Sequence, residues 1–280
     1  MEDFAVRGDR EALRKIWLAC FGGEEEYVDF YLRRRFRPSE TVVWREKGVP
    51  VSMMTLMNLE IAGRAGAYVY AVATLPEYRG RGLMRRLDAF AKQAVLARGG
   101  AFMALVPAEP PLFAMYEKLG YRTSFFLWEK EADAVPSRRR FGFSRCGFWD
   151  FARLRGEYLA RFPGAAAHPL PELRYIYREL CRYDGGVFRW KEDGAVLYAA
   201  FTRTSRGLWL RECSGPDPEA AACALAGELG CHHIRILCGQ PFPGAVRVPY
   251  GMGRTLRPDG STGPLEECFP GPFYMSLMLE

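Results

Sequence analysis

Apolar positions recur every three to four residues through "DREALRKIWLACFG", placing Leu13, Ile16, Trp17 and Cys20 on one face. Asp9 stands at the N-cap position and Gly22 just beyond the end, so the spacing predicts a helix. "EEEYVDFYLRRRF" predicts a second, with acids in its first turn and arginines in its last, as the macrodipole favours. The chain then turns extended. "ETVVWRE" and "VPVSMMTLMNLEIAG", joined by a turn at Lys47-Gly48, predict an antiparallel pair. After the Gly-rich "AGRAGA", the β-branched and aromatic run "YVYAVATL" predicts a buried central strand. Leu83, Leu87, Phe90, Ala91 and Ala94 then mark an amphipathic helix ending near "ARGG". "AFMALVPA" follows as a strand, "EPPLFAMYEKLGY" as a short helix opened by proline and closed by Gly120, and "TSFFLWEK" as another strand. This order predicts a mixed α/β (α+β) domain around a central sheet.

"EADAVPSRRRFG", over residues 131–142, is polar, charged and broken by proline, which sets the expected division into domains 1–135 and 136–280. The second half opens with two helical patterns, "CGFWDFARLRGEYLARF" and "LPELRYIYRELCRY". Strands "GVFRWKE", "AVLYAAFTR" and "GLWLRECS", a helix "DPEAAACALAGELG" and a strand "HHIRILCG" follow. Gly251-Met252-Gly253 reads as a plain loop, and the alternating "FYMSLMLE" as an edge strand. The order of elements repeats that of the first half without any repeat of sequence.

Composition narrows the class. The 280 residues are 49% hydrophobic and 26% charged, as in a soluble globular protein, and no segment is apolar and long enough to span a bilayer. "MEDFAVRGDREALRKIW" has neither a secretory nor a transit pattern, so a cytoplasmic location is expected. The eight cysteines show no C-x-x-C spacing, and several lie in apolar runs such as "IRILC", which suits buried thiols in a reducing compartment. Cys231, His232, His233 and Cys238 match no common zinc spacing, so no metal is expected. The net charge of +6 permits anionic partners. Of the basic clusters, "YLRRRFR" and "SRRRFGFSR" read as solvated faces of an arginine-rich chain. No DNA-reading motif or aromatic–basic platform accompanies them, so no specific nucleic acid is expected.

The third cluster is different. "PEYRGRGLMRRL" places two glycines and four arginines where a strand hands over to a helix. N–H groups converging on a helix N-terminus carry roughly half a unit of positive charge and bind phosphate oxygens without a particular side chain. Gly80 and Gly82 allow close approach, and Arg79, Arg81, Arg85 and Arg86 add charge at the rim. A tight turn with incidental arginines is the other reading. Walker and dinucleotide loops fail on detail, because no Lys-Ser or Lys-Thr follows and Arg85 stands where the last dinucleotide glycine belongs.

"VATLPEYRGRG" with its helix resembles the Q/R-x-x-G-x-G/A coenzyme A loop of the GCN5-related N-acetyltransferase (GNAT) superfamily. "LVPAEPPLFAMYEKLGY" resembles that family's second signature, a strand and then a helix with a tyrosine shortly before Gly-Tyr. The resemblance covers about residues 1 to 130; the second half is similar only in its order of elements. It implies two splayed parallel strands, with the pantetheine arm of acetyl-CoA, the co-substrate, paired to the backbone of Val72, Ala73 and Thr74. The pyrophosphate would sit on the amides of Arg79, Gly80, Arg81, Gly82, Leu83, Met84 and Arg85. Tyr116 falls where the family places the general acid that protonates the leaving thiolate.

Met84 departs from the family's small residue, though the enhanced-intracellular-survival aminoglycoside acetyltransferases are similar in having an arginine-rich loop with a large residue there. The strand before the loop has no carboxylate, which leaves the general base open among Tyr70, Glu109, Glu212, a water chain and the terminal carboxylate after Glu280. In the second half Asp217 and Glu219 meet a helix N-terminus, where carboxylates satisfy its donors and repel phosphate. That half is therefore expected to be a degenerate GNAT-like domain forming an acceptor-cleft wall or a dimer surface. The expected activity is acetyl transfer from acetyl-CoA to a primary amine, on a small molecule or a peptide; the alternative is a non-catalytic acyl-CoA-binding module.

Overall fold

The chain opens with a short strand, β1 (Glu2–Phe4), and two helices, α1 (Arg10–Phe21) and α2 (Glu25–Arg34). Their buried residues include Leu13, Ile16, Trp17, Val28 and Tyr31, at the helical spacing read from the sequence. Asp9 does sit at the N-cap of α1, but its carboxylate accepts from the Val6 N–H (2.6 Å) and from Arg45 (2.8 Å) instead of capping the helix. β2 (Thr41–Glu46), β3 (Val49–Ile61) and β4 (Arg64–Thr74) form a meander. Paired positive φ angles make its two tight turns, at Lys47 and Gly48 and at Ala62 and Gly63, as two-residue hairpins require. After the loop come α3 (Leu83–Ala97), β5 (Phe102–Leu105) and α4 (Pro110–Glu117).

β6 (Arg122–Asp133), β7 (Ser144–Arg145), α5 (Phe148–Leu159), β8 (Gly164–Ala167) and α6 (Leu170–Arg182) follow. Then come β9 (Gly186–Glu192), β10 (Ala195–Thr204), β11 (Gly207–Cys213), α7 (Pro218–Leu229) and β12 (His233–Cys238). The chain closes with β13 (Val246–Leu256), β14 (Thr262–Gly263) and β15 (Phe273–Tyr274). This computed structural model describes residues 1–23, 25–137, 139–182 and 184–279. No helix among them is long and apolar enough to cross a membrane.

Contacts divide the chain into two units. The first comprises Met1–Arg122 and Met252–Cys268, and the second Thr123–Gly251 and Phe269–Leu279. The division therefore falls ten residues or so before the polar stretch at 131–142, and the first unit takes in a late segment. The physical reason is strand pairing. β6 runs through that stretch as far as Asp133 and pairs with β12, while Met252–Thr255 of β13 pairs antiparallel with β5. Gly251-Met252-Gly253 is thus strand, not loop, and an added Cβ on Gly253 would lie 2.4 Å from Leu265 Cδ1.

The sheet of the first unit runs β1-β2-β3-β4-β5-β13. On β4, Ala67 and Val69 join a core with Leu87, Ala91 and Val95 of α3, while Tyr70 meets Trp17 and Tyr31 of α1 and α2. Both faces are covered, which is why this strand reads as a continuous apolar run. Arg35, from a cluster expected to be solvated, is buried and paired with Glu40 at 2.7 Å.

The second unit has its own sheet, β6-β12-β11-β10-β9-β7, with α7 packed on it through Ala221, Ala222, Leu225 and Ala226. From the other basic cluster, Arg139 pairs with Glu192 (2.5 Å) and lies over the Phe141 ring; Arg138 falls outside the described residues. The "FYMSLMLE" segment forms no edge strand beyond Phe273–Tyr274, which pairs with β8. Met275, Ser276, Leu277, Met278 and Leu279 are all buried, held by Arg155 on the Ser276 carbonyl and Arg211 on that of Met278.

Candidate active site

The site begins with an irregularity in β4. Its pairing with β3 shifts register between Met53 and Thr55, and Ala71 adopts φ +51°. One extra residue on β4 is accommodated there, a β-bulge, and it changes the phase of the strand so that Val72 packs against the same core as Val69. The parallel pairing of β4 with β5 covers only Ala67–Met103 and Tyr68–Ala104. Beyond Tyr68 the edge of β4 that faced β5 is free of that partner, and the cleft opens there.

Val72, Ala73 and Thr74 line this cleft, of about 420 Å³, together with Arg79, Gly80, Gly82, Leu83, Met84 and Tyr116. The structure thus brings together nine of the eleven residues singled out in the sequence. Arg81 and Arg85 do not line it: Arg81 stacks over Tyr78 and donates to the Glu77 carbonyl, and Arg85 is exposed on the first turn of α3. Cys20, Phe21, Tyr78, Leu112 and Met115 complete the wall; Tyr78, Leu112 and Met115 lie within the two quoted motifs without having been singled out, and Cys20 and Phe21 lie outside both. The Cys20 thiol donates to the Thr74 carbonyl (3.2 Å), which also accepts from Arg79 Nε (3.0 Å).

Gly80 (φ +75°) and Gly82 (φ +72°) shape the loop between β4 and α3. Nothing lies within 4 Å of a Cβ built on either, so within the protein they are needed for their left-handed backbone. Gly82 is the N-cap of α3 and supplies no side-chain cap; the first turn holds no acid and carries Arg85 and Arg86. Among the described residues, none of the N–H groups of 80–85 donates to a protein acceptor. Uncapped donors and cations at the positive end of a helix each oppose its stability, and an anion bound there relieves both.

Across the cleft, α4 is eight residues long, and Tyr116 is its buried residue. Burial pushes the Tyr116 phenol up to about 12, with the Asp88 carboxylate adding to the effect. Its ring meets Tyr121 edge-on at 5.7 Å, and the Tyr121 hydroxyl donates to Asp88 (3.2 Å).

Residues 5–124 match the family model of the acetyltransferase (GNAT) domain. The first unit carries a GNAT domain. Among solved structures, a GCN5-related N-acetyltransferase from Kribbella flavida is 18% identical, over 91% of this chain and 71% of that one, with TM-score 0.68. Eis1 from Mycobacterium abscessus is 14% identical, over 91% and 73%, with TM-score 0.63. Saccharomyces cerevisiae N-myristoyltransferase, solved with bound myristoyl-CoA, is 11% identical, over 93% and 82%, with TM-score 0.56. At these identities the likeness is one of fold. No curated protein matches by sequence.

The second unit has a corresponding crossing from β11 to α7, but its helix is capped from within. Asp217 Oδ1 accepts from the Ala220 N–H (2.9 Å). Glu219, also expected to serve those donors, instead pairs with Lys130 at 2.6 Å. Of the bases left open by the sequence, Glu212 is completely buried in the second unit, where Arg155, Tyr198, Tyr274 and Ser276 all hold it. The Tyr70 hydroxyl is bonded to that of Tyr27 (2.8 Å), Glu109 is exposed at the N-cap of α4, and Glu280 lies outside the described residues.

Proposed function

We propose that the chain is an acyl-CoA-dependent N-acetyltransferase that uses acetyl-CoA as co-substrate and a primary amine, on a small molecule or a peptide, as acceptor. One observation carries this: a single cleft joins a bulged strand edge, an uncapped arginine-rimmed helix N-terminus and a buried phenol. The N–H groups of residues 80–85 would hold the pyrophosphate, and the edge of β4 at Val72, Ala73 and Thr74, which is not paired with β5, the pantetheine arm. Acetyl-CoA supplies an activated carbonyl that the amine attacks, the C–N bond forming as the C–S bond breaks. A β4 N–H would polarise the carbonyl oxygen.

Tyr116 is protonated throughout the neutral range, so it can donate to sulfur. With the phenol near 12 and a thiol near 8.5, full transfer to the thiolate is uphill by about 3.5 pK units, or ~5 kcal/mol. Tyr116 therefore acts as a hydrogen-bond donor to the developing thiolate, and the proton that neutralises it comes from the amine nitrogen, which attacks as the neutral amine and turns acidic as the C–N bond forms. The free cysteines support a cytoplasmic location.

The test is calorimetry of acetyl-CoA into the parent and into Gly82→Glu, followed by a panel of amines. Saturable binding that Gly82→Glu abolishes, with turnover of an amine, supports the reading. No binding by the parent overturns it, and binding without turnover of any amine replaces it with a non-catalytic acyl-CoA-binding module.

A further inference from the structure

Arg254 lies on β13, far along the chain from the GNAT signatures, yet its guanidinium reaches α3 and the turn after α4, two of the elements around the cleft. Nη2 donates to Asp88 Oδ1 of α3 at 2.7 Å, and Nη1 donates to the Leu119 carbonyl, just past α4, at 2.5 Å. The cation also covers the Tyr121 ring, 4.2 Å from its centroid. Leu119 and Tyr121 are themselves tied to Tyr116, because both donate their backbone N–H to its carbonyl (2.9 and 3.2 Å). The Arg254 and Asp88 side chains are only 3% and 9% exposed, so water cannot replace either partner cheaply.

An eight-residue helix is too short to hold itself in place by backbone propensity. Tyr116 is the buried residue of α4, with Leu112, Phe113 and Met115 partly buried against the same core, and the turn that follows, bonded to the Tyr116 carbonyl, fixes the C-terminal end of the helix. That turn is gripped by Arg254, and the same guanidinium grips the helix whose N-terminus forms the phosphate cradle. A second tie on α3, Lys92 Nζ to the Gly260 carbonyl (2.8 Å), comes from the same late segment.

We infer that Arg254 is a positioning residue for acetyl transfer, setting Tyr116 at its working distance from the cofactor held on α3. The inference rests on the transferase reading. It assigns to the late strand a part in the reaction beyond completing the sheet. Asp88 is the counter-ion that keeps Arg254 in place.

The experiment is a cycle of Arg254→Gln and Tyr116→Phe, each alone and together. Thermal melting, acetyl-CoA affinity and CoA release are measured. The amines are a linear polyamine, an aminoglycoside, an arylalkylamine and a lysine-containing peptide. We expect Arg254→Gln to bind acetyl-CoA within about threefold of the parent and to lose about 30-fold in kcat, with the amine KM nearly unchanged. In the Tyr116→Phe background the same substitution should cost less than about threefold, because the residue it positions is already gone. Arg254→Lys, which can keep Asp88 but not the Leu119 carbonyl as well, should fall between. Equal losses in both backgrounds, or an undiminished kcat, would overturn the inference.

If Arg254→Gln melts out, Asp88→Leu/Arg254→Leu removes the pair without stranding a charge. Full activity in that folded variant overturns the inference, and a loss confined to the Tyr116 background supports it. A parent that acetylates none of the four amines fails the transferase reading and takes the inference with it. An active parent with an unaffected Arg254→Gln fails the inference alone.

Discussion

Replacing Arg85 by glutamate should stabilise the free protein and weaken acetyl-CoA binding at the same time. Arg85 is exposed at the third position of α3, after an N-cap glycine that contributes no cap, in a first turn without an acid. A cation there opposes the helix dipole by about 0.3–1 kcal/mol, and an anion gains a similar amount, so the reversal is worth about 1 kcal/mol. From this position a glutamate can also reach back to the N-cap N–H of Gly82, as in a capping box. For a unit of this size the melting temperature should rise by about 3 °C.

The same carboxylate competes for a donor that the pyrophosphate would use. Reversing one charge at roughly 8 Å from a phosphate costs about 1 kcal/mol in water. Losing one hydrogen bond to an anion costs about 1.5 kcal/mol more. Together these weaken acetyl-CoA binding roughly 50- to 100-fold. The assays are scanning calorimetry without ligand and titration calorimetry with acetyl-CoA, at about 0.05 and 0.5 M salt. Lys191→Glu, exposed on β9, makes the same change in net charge and serves as the control. The Coulomb part should fade at the higher salt while the capping part persists. If Arg85→Glu lowers the melting temperature, or leaves acetyl-CoA affinity where it was, the cradle has been misassigned.

Tyr116→Phe should keep acetyl-CoA affinity within about threefold and lower kcat by about 100-fold. Because burial holds the phenol at about 12, the parent's kcat should show no alkaline limb from Tyr116 below about pH 11. Asp88→Asn, which removes the nearby charge, should bring that limb down. Hydrogen bonding from Arg45 holds the Asp9 carboxyl below the usual carboxylate range, so its stabilising effect is present above pH 3.8 and disappears as pH falls through its folded value. Urea unfolding should therefore show Asp9→Asn less stable than the parent by about 1 kcal/mol at pH 7, with the difference shrinking as the pH falls below 3.8. A chain ending at residue 135 lacks the strand that pairs with β5 and both late ties to α3, so it should neither melt cooperatively nor bind acetyl-CoA.

Local rules written into the sequence specified most elements, because each draws on neighbours within a few residues. The helical spacing of Leu13, Ile16 and Trp17, the paired turn residues Lys47-Gly48, and the glycine–arginine loop before Leu83 all state their conformation locally. The glycine turn ahead of α3 and its uncapped N-terminus were legible for the same reason, since backbone amides entering a helix need only the right turn in front of them. Pairing partners were a different matter. β13 carries Pro249, Gly251 and Gly253, which hide its strand pattern, and it becomes a strand because β5 offers an edge and Leu265 needs a glycine to pack on. The apolar tail after Phe273 alternates like an edge strand, but it is buried because Arg155 and Arg211 take its carbonyls. Arg254 illustrates the limit most plainly. In sequence it is one arginine among many; only tertiary structure sets it between Asp88 and Leu119, where burial turns an ordinary cation into the fastening of the cleft.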